Sequence, residues 1–386
     1  MFGIRRIKQQ IEDIKQYRQK VLEETFVPVE ELPEFDEKEI HTDQLRSMYD
    51  PSSLVYLDHS KLIDPSVNLY YYNAGFYEDT PNTYRMFYRC GKNPKAFEDR
   101  VATCLLDKKF NILPDTNKYL NLHSSWEETT NGDIKLKKLI PYMFKNGTHV
   151  EDPRALRVGD NWFIFYTDGI HMAVAKLTKD CDLIYSHYLH TPDDTLHADS
   201  DGREKNWVPI KASDGFLYVL YSESPRILFK YIDEGSFLKL IQQRILYYDL
   251  GWSYGYVRGG CPPVPYKDDK YIWFFHSAMT IPTYISEKSR VYMIGAYITE
   301  DTYPYKTTEI TALPVLIGWP SHAIKTLIIQ DNVVFPCGAV QKDSDTYVIC
   351  MGVNDYKIAY IEVKISDLIW KTAPKFIKLS SFSHSF

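Results

Sequence analysis

The sequence predicts an all-β fold: a five-bladed β-propeller with an N-terminal amphipathic helix. Five segments rich in aromatic and β-branched residues follow turn-forming clusters and end in polar residues: YRMFYRCG (84–91), WFIFYTDG (162–169), FLYVLYSES (216–224), YIWFFHSA (271–278) and TYVICMGVND (346–355). One short strand precedes each turn cluster and a third strand follows each segment, with a fourth in places, so four-stranded antiparallel units recur every roughly 45–55 residues. Small sheets repeated in this way are typical of a propeller.

Outside the repeat, the sequence predicts an N-terminal unit (1–45) ahead of the propeller (46–386), and an insert between the first two blades (111–147). Isoleucines recur at helical spacing in IRRIKQQIEDIKQYRQKVLEE (4–24), which predicts an amphipathic helix. The acidic, proline-containing stretch VPVEELPEFDEKE (27–39) predicts a linker. The helix is expected either to pack on the domain surface or to contact a partner, for example in a homodimer.

The composition excludes several classes of function. The chain has 386 residues, with 45 Lys and Arg against 51 Asp and Glu, and a formal net charge of −6. Nucleic-acid binding is not expected, because it relies on a basic surface. No apolar run approaches the ~20 residues of a membrane span. The start lacks the apolar core of a signal peptide, which predicts a cytoplasmic location.

The cysteines point to neither a metal nor a disulfide. All 6 are scattered along the chain, several of them inside apolar strand patterns such as VATCLL and YVICMG. Their spacing matches no known metal site, so we expect reduced, buried thiols and no metal or cofactor.

The predicted topology brings polar residues from distant segments to one face of the ring. The first strand of a blade lines the central axis and the second strand runs back antiparallel to it, so the starts of first strands and the ends of second strands share a face. The first-strand residues are Asn73, Glu151, Asp152, Arg154, Lys205, Asn206, Arg258 and Phe335, and the second-strand residues are Arg89, Asp168, Glu223, His276, Asn354 and Asp355. Acids, bases and aromatic residues around one funnel form an active-site pattern.

The motif Glu-Asp-Pro-Arg (151–154) opens the second blade and is the most specific of these signals. Pro153 fixes φ and removes a backbone donor, so Asp152 is expected to keep a set direction. Arg154 is expected on the same side of the strand, where it orients Asp152 or binds an anion. The motif therefore predicts an acid and a base aimed into the funnel. The alternative is a structural ion pair between blades.

Two other acids are candidates for a catalytic base. Asp168 and Glu223 end second strands, and an inverting hydrolase needs a second carboxylate to activate water. For Asp168, the following Gly169 also suits a simple turn.

The cationic and aromatic candidates also have two interpretations. Arg258 and Lys205 are candidates for binding an anion. Alternatively, they are surface charges or pair with acids of a neighbouring blade. Trp207 and Phe335 are candidates for stacking on a sugar, or else pack between blades. His276 ends a core strand, where a lone histidine is usually a satisfied core group.

Taken together, the pieces VEDPR, KNW.P, GGCPPV, WFFHS, VVFPCG and GVND resemble the five-bladed propellers of glycoside hydrolase family 130, the β-mannoside phosphorylases and hydrolases, over roughly residues 68–370. In that family, the aspartate of Glu-Asp-Pro-Arg is the general acid that protonates the glycosidic oxygen, which implies that role for Asp152. The resemblance also implies sugar contacts for Asn73 and Asp355, and a place near substrate or phosphate for His276.

One departure from the family bears on the reaction. The phosphorylases carry phosphate-binding arginines where this chain has Lys211 and Ser222-Glu223, and Glu223 would repel phosphate. The resemblance still implies a carbohydrate-active enzyme that acts on a mannoside-type glycosidic bond. One alternative is a glycosyltransferase that uses a sugar nucleotide or sugar phosphate, its diphosphate held by Lys205, Arg154 and Arg258. Another is a non-catalytic glycan-binding propeller.

Overall fold

A computed structural model describes residues 45–92, 99–122, 150–168, 171–189, 204–223, 226–233, 238–247, 250–282, 289–319, 332–373 and 378–380. Over these ranges the protein is all-β, in a propeller-like arrangement of antiparallel sheets. Helical structure there is limited to 3-10 turns at Pro51–Ser53, His59–Lys61 and Ile365–Asp367. The predicted N-terminal helix, the linker and most of the predicted insert lie outside the described residues.

The strands are listed here in chain order: β1 (Val55–Tyr56), β2 (Tyr70–Thr80), β3 (Thr83–Gly91), β4 (Arg100–Leu106), β5 (Lys118–Tyr119), β6 (Glu151–Val158), β7 (Asn161–Thr167), β8 (Met172–Leu177), β9 (Leu183–Tyr188), β10 (Val208–Lys211), β11 (Leu217–Glu223), β12 (Arg226–Asp233), β13 (Leu238–Tyr247), β14 (Tyr256–Arg258), β15 (Val264–Tyr266), β16 (Lys270–Ile281), β17 (Ser289–Glu300), β18 (Thr307–Thr311), β19 (Leu316–Ile317), β20 (Val334–Gln341), β21 (Thr346–Val353), β22 (Lys357–Lys364), β23 (Trp370–Thr372) and β24 (Lys378–Ser380).

These strands form sheets in the orders β2-β3-β4-β5, β6-β7-β8-β9, β10-β11-β12-β13-β24, β14-β16-β17-β18-β23 and β1-β22-β21-β20. In the fourth sheet, β15 also pairs with β16, and β19 pairs with β17. The second, third and, where present, fourth predicted strands of each repeat follow one another as antiparallel neighbours. The short strand β5, which lies inside the predicted insert, completes the first sheet.

Segments from both ends of the described chain complete other sheets. Strand β1 precedes the first sheet in sequence but pairs with β22 in the last one. Beyond the last sheet, β23 pairs with β18 and β24 with β13. Strand β1 thus adds an edge strand to the final sheet. The C-terminal strands β23 and β24 add edge strands to the fourth and third sheets.

Apolar side chains fill the space between neighbouring sheets, as the alternation of the strands predicts. Ring contacts mark the successive interfaces: Phe87–Trp162 (5.2 Å), Phe165–Tyr231 (5.8 Å), Tyr218–Tyr305 (5.9 Å), Phe274–Tyr347 (6.2 Å) and Phe76–Tyr360 (5.6 Å). The last of these joins the first sheet to the final one. Several of the described tyrosines therefore serve packing between sheets.

The cysteines lie in this core, as predicted. All six are buried and free, and burial raises the pKa of the Cys90 thiol to about 12. In the part of the chain that the structure describes, no helix is both long and apolar enough to span a membrane. The same ranges contain no group of three or more His, Cys, Asp or Glu arranged to hold a metal ion.

Candidate active site

A cavity of about 350 Å³ opens where the innermost strands begin, at the face that the topology predicts. Its lining includes the predicted residues Asn73, Arg89, Glu151, Asp152, Lys205, Asn206, Arg258, His276, Phe335 and Asp355. Residues from five sheets therefore meet in one space large enough for a small glycoside. The lining also contains Arg290, Tyr292 and Val333, which the sequence analysis did not select.

Local backbone irregularities aim several of these side chains. The pairing of β2 with β3 skips a step at Asn73, and that of β6 with β7 skips at Asp152. Both residues have left-handed φ values, 47° and 55°, as do Asn206 (66°) and Asp355 (49°). Asn and Asp adopt this conformation at lower cost than other residues with a Cβ. A bulge re-aims a side chain, so the same device turns polar groups from separate sheets toward the cavity.

Asp152 is held through one of its two oxygens. Asn73 Nδ2 donates a hydrogen bond to Oδ1 (2.7 Å), and Arg89 Nη1 lies 3.3 Å from the same atom. Asn73 itself rests against β21, where Gly352 leaves no room for a Cβ. Asp152 Oδ2 accepts no hydrogen bond from the described residues, so it is available to a ligand in the cavity.

Arg89 joins three carboxylates. Its Nη2 contacts Glu151 Oε1 (2.8 Å), its Nε contacts Asp99 Oδ2 (3.1 Å), and its Nη1 reaches Asp152. Lys205 Nζ binds the other oxygen of Glu151 at 3.0 Å. Burial alone would lower the pKa of Lys205, but Glu151 and Asp152 outweigh it and hold that pKa above its usual value. Both cations therefore remain charged beside the acids.

Asp355 is the third acid of the cavity lining. It lines the cavity, and no described residue donates a hydrogen bond to its carboxyl group. Burial raises its pKa to about 6; Arg89 opposes the shift, while the charges of Asp152 and Glu151 add to it. Near neutral pH this group changes charge inside the cavity.

This raised pKa leads to a prediction about stability. A carboxyl group whose pKa is higher in the folded state stabilises the fold below its unfolded pKa, near 3.8, and that contribution is lost as the pH rises through 6. Asp355→Asn cannot ionise, so the variant should gain stability relative to wild type between pH 4 and pH 8, by up to about 3 kcal/mol. Urea unfolding of both proteins at the two pH values measures this. An unchanged difference between the two pH values would contradict the assignment.

Another part of the cavity lining is aromatic and cationic. His276 lies between Phe335 (ring centroids 4.5 Å apart) and Tyr292 (6.0 Å). Burial, with the charges of Arg154 and Arg258, lowers the pKa of His276 well below its usual value, so the ring is neutral. Its Nδ1 has no hydrogen-bond partner among the described residues.

The hairpin of β16 and β17 extends this wall. Arg258 pairs in register with His276, and Arg290 with Thr280, four residues further along the same strand. Arg290 lies 5.1 Å from the ring of Tyr292, and both line the cavity. The fourth sheet thus adds two guanidinium groups to the cavity.

Two residues predicted to contact substrate serve the scaffold instead. Arg154 is 1% exposed and lies outside the lining; it donates to the carbonyls of Gly260 (2.7 Å) and Gly259 (3.2 Å) and to Asn206 Oδ1 (3.1 Å). It thus ties the second sheet to the fourth sheet and to the segment that leads into the third. Trp207 is fully buried against Tyr221 (5.1 Å), so it has no face to offer a sugar.

The two predicted bases also lie away from the cavity lining. Asp168 Oδ1 accepts a hydrogen bond from the backbone N–H of His171 (2.7 Å), the turn role that was the alternative. Glu223 is 2% exposed, pairs with Arg226 (2.9 Å) and accepts from the Tyr297 hydroxyl (2.6 Å). Glu223 does not reach the cavity because β11, the strand that it ends, stops inside the interface between the third and fourth sheets.

Comparison with known proteins then decides the family. The model of glycoside hydrolase family 130, described as β-1,4-mannooligosaccharide phosphorylase, matches residues 119–372, well over half of the chain. The chain belongs to glycoside hydrolase family 130. The resemblance inferred from the sequence motifs is confirmed, and a mannoside is the kind of substrate that this family shares. A comparison with curated proteins found no match.

Solved structures share the fold at low identity. The β-1,2-mannobiose phosphorylase from Listeria innocua, in complex with β-1,2-mannobiose, is 17% identical with a TM-score of 0.51, covering 78% of this chain and 91% of its own. A glycosyl hydrolase from Bacteroides ovatus is 14% identical with a TM-score of 0.51, covering 83% and 91%. At these identities the similarity shows the fold alone.

Proposed function

We propose that this protein is a mannoside phosphorylase in which Asp152 is the general acid. The observation that carries the proposal is the hold on Asp152: Asn73 and Arg89 fix Oδ1, and Oδ2 is left to the cavity. A general acid must reach the leaving oxygen in a fixed geometry. Membership of a mannoside-active family supplies the substrate class.

The reaction is a single displacement. An oxygen of hydrogen phosphate attacks the anomeric carbon, the bond from that carbon to the glycosidic oxygen breaks, and the proton of Asp152 passes to the leaving oxygen, directly or through a sugar hydroxyl. The proton that phosphate loses on forming the ester restores Asp152. The products are mannose 1-phosphate and the shortened sugar.

An anionic acceptor fits the charges of this cavity. Glu223, which the sequence placed where it would repel phosphate, is buried in its pair with Arg226 outside the lining. Lys205, Arg258 and Arg290 all line the cavity. Arginine favours phosphate because its planar donors match two oxygens at once. Arg258 and Arg290 of the fourth sheet could therefore bind phosphate in place of the arginines that this chain lacks at positions 211 and 222–223.

Arg290→Ala is accordingly expected to raise KM for phosphate by about tenfold or more, since a charge-assisted hydrogen bond is worth roughly 1.5–3 kcal/mol. KM for the mannoside should change little. The matched control is Arg100→Ala, because Arg100 is also exposed and stacked on a tyrosine, Tyr119 at 5.3 Å, but lies outside the cavity lining. Equal effects of the two substitutions would contradict the assignment.

The function itself is tested by mass spectrometry of the products. Manno-oligosaccharides with phosphate should give mannose 1-phosphate. Free mannose alone would indicate hydrolysis, and turnover of sugar nucleotides alone would indicate a transferase. Glycan binding without turnover under all conditions would indicate a non-catalytic propeller. Each of these three results would overturn the proposal.

We also propose that the sheets are the blades of one closed five-bladed propeller. The pairing of β1 with β22 and the contact between Phe76 and Tyr360 support closure between the first and last sheets. A crystal structure with five blades around one axis is the expected result, and any other blade number would contradict it.

A further inference from the structure

Several carboxyl groups lie close to Asp152. Asp99, Glu151 and Asp152 all contact Arg89, Lys205 pairs with Glu151, and Asp355 interacts electrostatically with this group. These four carboxyl groups and the cations Arg89 and Lys205 therefore lie close together. Like charges at short range disfavour ionisation, so each carboxylate of this group makes it harder for its neighbours to lose a proton.

Asp99 is the least accessible of these four acids. It is 1% exposed and does not line the cavity. Both Nε and Nη2 of Arg89 contact its Oδ2. Gly91 approaches the other oxygen so closely that no Cβ fits there, and the Asp99 carbonyl accepts from Val150 N (3.0 Å), directly before Glu151. The fold therefore fixes this carboxylate between β3 and β6.

The consequence of this placement falls on Arg89. With Nε and Nη2 held by Asp99, the guanidinium plane is set, and its remaining amino group, Nη1, reaches Asp152 Oδ1 at 3.3 Å. The stack of Arg89 on Tyr72, at 4.6 Å, supports the same orientation from the other side. Without Asp99, the guanidinium would lose this hold and could turn away from Asp152.

We propose that Asp99 is a positioning residue for Asp152: it aims Arg89 at Oδ1, and its negative charge helps the cavity hold a proton at neutral pH. This inference rests on the proposed function, since it requires Asp152 to donate that proton. Asp99 itself touches no substrate. None of the sequence motifs singles it out, because it lies on the segment before β4 rather than at a first-strand start.

Other charged and titratable groups around the cavity also influence the protonation of Asp152, and a substitution at Asp99 leaves them unchanged. They come from every sheet around the cavity: Arg89, Glu151, Asp152, Lys205, Arg258, His276, Arg290, Tyr292 and Asp355, while Tyr72 and Arg154 lie outside the lining next to Arg89 and His276. Replacement of Asp99 by a neutral residue therefore removes one negative charge from the surroundings of Asp152 and changes nothing else in this group.

The test is the pH profile of phosphorolysis by Asp99→Asn. Asparagine can still accept from Arg89, but it lacks the charge, so the acid should lose its proton more easily. The alkaline limb of kcat/KM is expected to move to lower pH by about one unit, the size of a unit charge acting across several ångströms at an intermediate dielectric. Asp99→Glu, which keeps the charge, should return the limb toward that of wild type.

A matched control separates this role from stability. Asp79 also binds two arginines, Arg85 and Arg157, at 3.1 Å each, but lies outside the cavity lining. Asp79→Asn is expected to lower the unfolding temperature without moving the alkaline limb. An unmoved limb in folded Asp99→Asn, or the same displacement in both variants, would overturn the inference. Wild type without phosphorolysis would instead refute the proposed function.

Discussion

Asp152→Asn is expected to lower kcat/KM for phosphorolysis of a manno-oligosaccharide by about 10²–10⁴-fold, the usual contribution of a general acid. The side-chain amide keeps the volume and still offers an oxygen to Asn73 and Arg89, so the cavity should keep its shape. It cannot give up a proton to the leaving oxygen. Steady-state kinetics measures the loss, and calorimetric titration should find mannoside binding within a few-fold of wild type.

The matched control is Asp168→Asn, because Asp168 is the other aspartate that the sequence offers as a catalytic candidate. Asp168 accepts from the backbone of its own turn and lies outside the cavity lining. We expect this variant to keep most of its turnover when folded. A large loss in Asp168→Asn together with an active Asp152→Asn would reverse the assignment of the acid.

The second large effect concerns stability. Arg226→Met is expected to reduce the free energy of unfolding by about 3–5 kcal/mol, because it leaves the Glu223 carboxylate buried without its cation. Arg226 is 1% exposed, donates to the Tyr305 carbonyl at 2.6 Å and lies 4.9 Å from the Tyr297 ring, so the pair sits inside the interface between sheets. Urea unfolding measures the change.

A double variant, Glu223→Gln with Arg226→Met, removes both charges and should recover part of that loss. Both variants should keep near-normal kcat at temperatures where they are folded. A stable Arg226→Met that has lost turnover would mean that this pair serves the chemistry, as the sequence analysis had considered for Glu223.

The sequence predicted the repeating sheets because each strand carries its own signals. Apolar alternation, a turn cluster and a polar end recur in every unit, and these are local properties. The pairing of β1 with β22 was not predicted, since two exposed residues, Val55 and Tyr56, carry no periodicity that indicates a partner three hundred residues away. Likewise, β5 is too short to be recognised within the predicted insert.

Topology alone predicted many of the residues that line the cavity. Asn73, Asp152 and Asp355 belong to this group, and their left-handed backbone explains why Asn and Asp occupy those positions. Arg290 and Tyr292 were missed because only first-strand starts and second-strand ends were considered. A third strand begins at the same face where the second ends, so polar residues at its start were an available signal.

The roles of some residues depend on which groups they contact in the fold, and the spacing of residues in the sequence does not reveal those contacts. Arg154 and Trp207 carry the same residue types as ligand-binding positions, but the first ties backbone carbonyls together and the second is fully buried. Asp99 shows the converse case, in which a residue without a motif is placed by the fold against Arg89.

The most direct measurement of the central claim, that Asp152 supplies the proton to the leaving oxygen, varies the leaving group. Wild type and Asp152→Asn are compared on a manno-oligosaccharide, whose sugar must be protonated to leave, and on a dinitrophenyl mannoside, whose phenolate needs no proton. We predict a loss of about 10²–10⁴-fold on the first and less than about tenfold on the second. Equal losses on both substrates would contradict the claim.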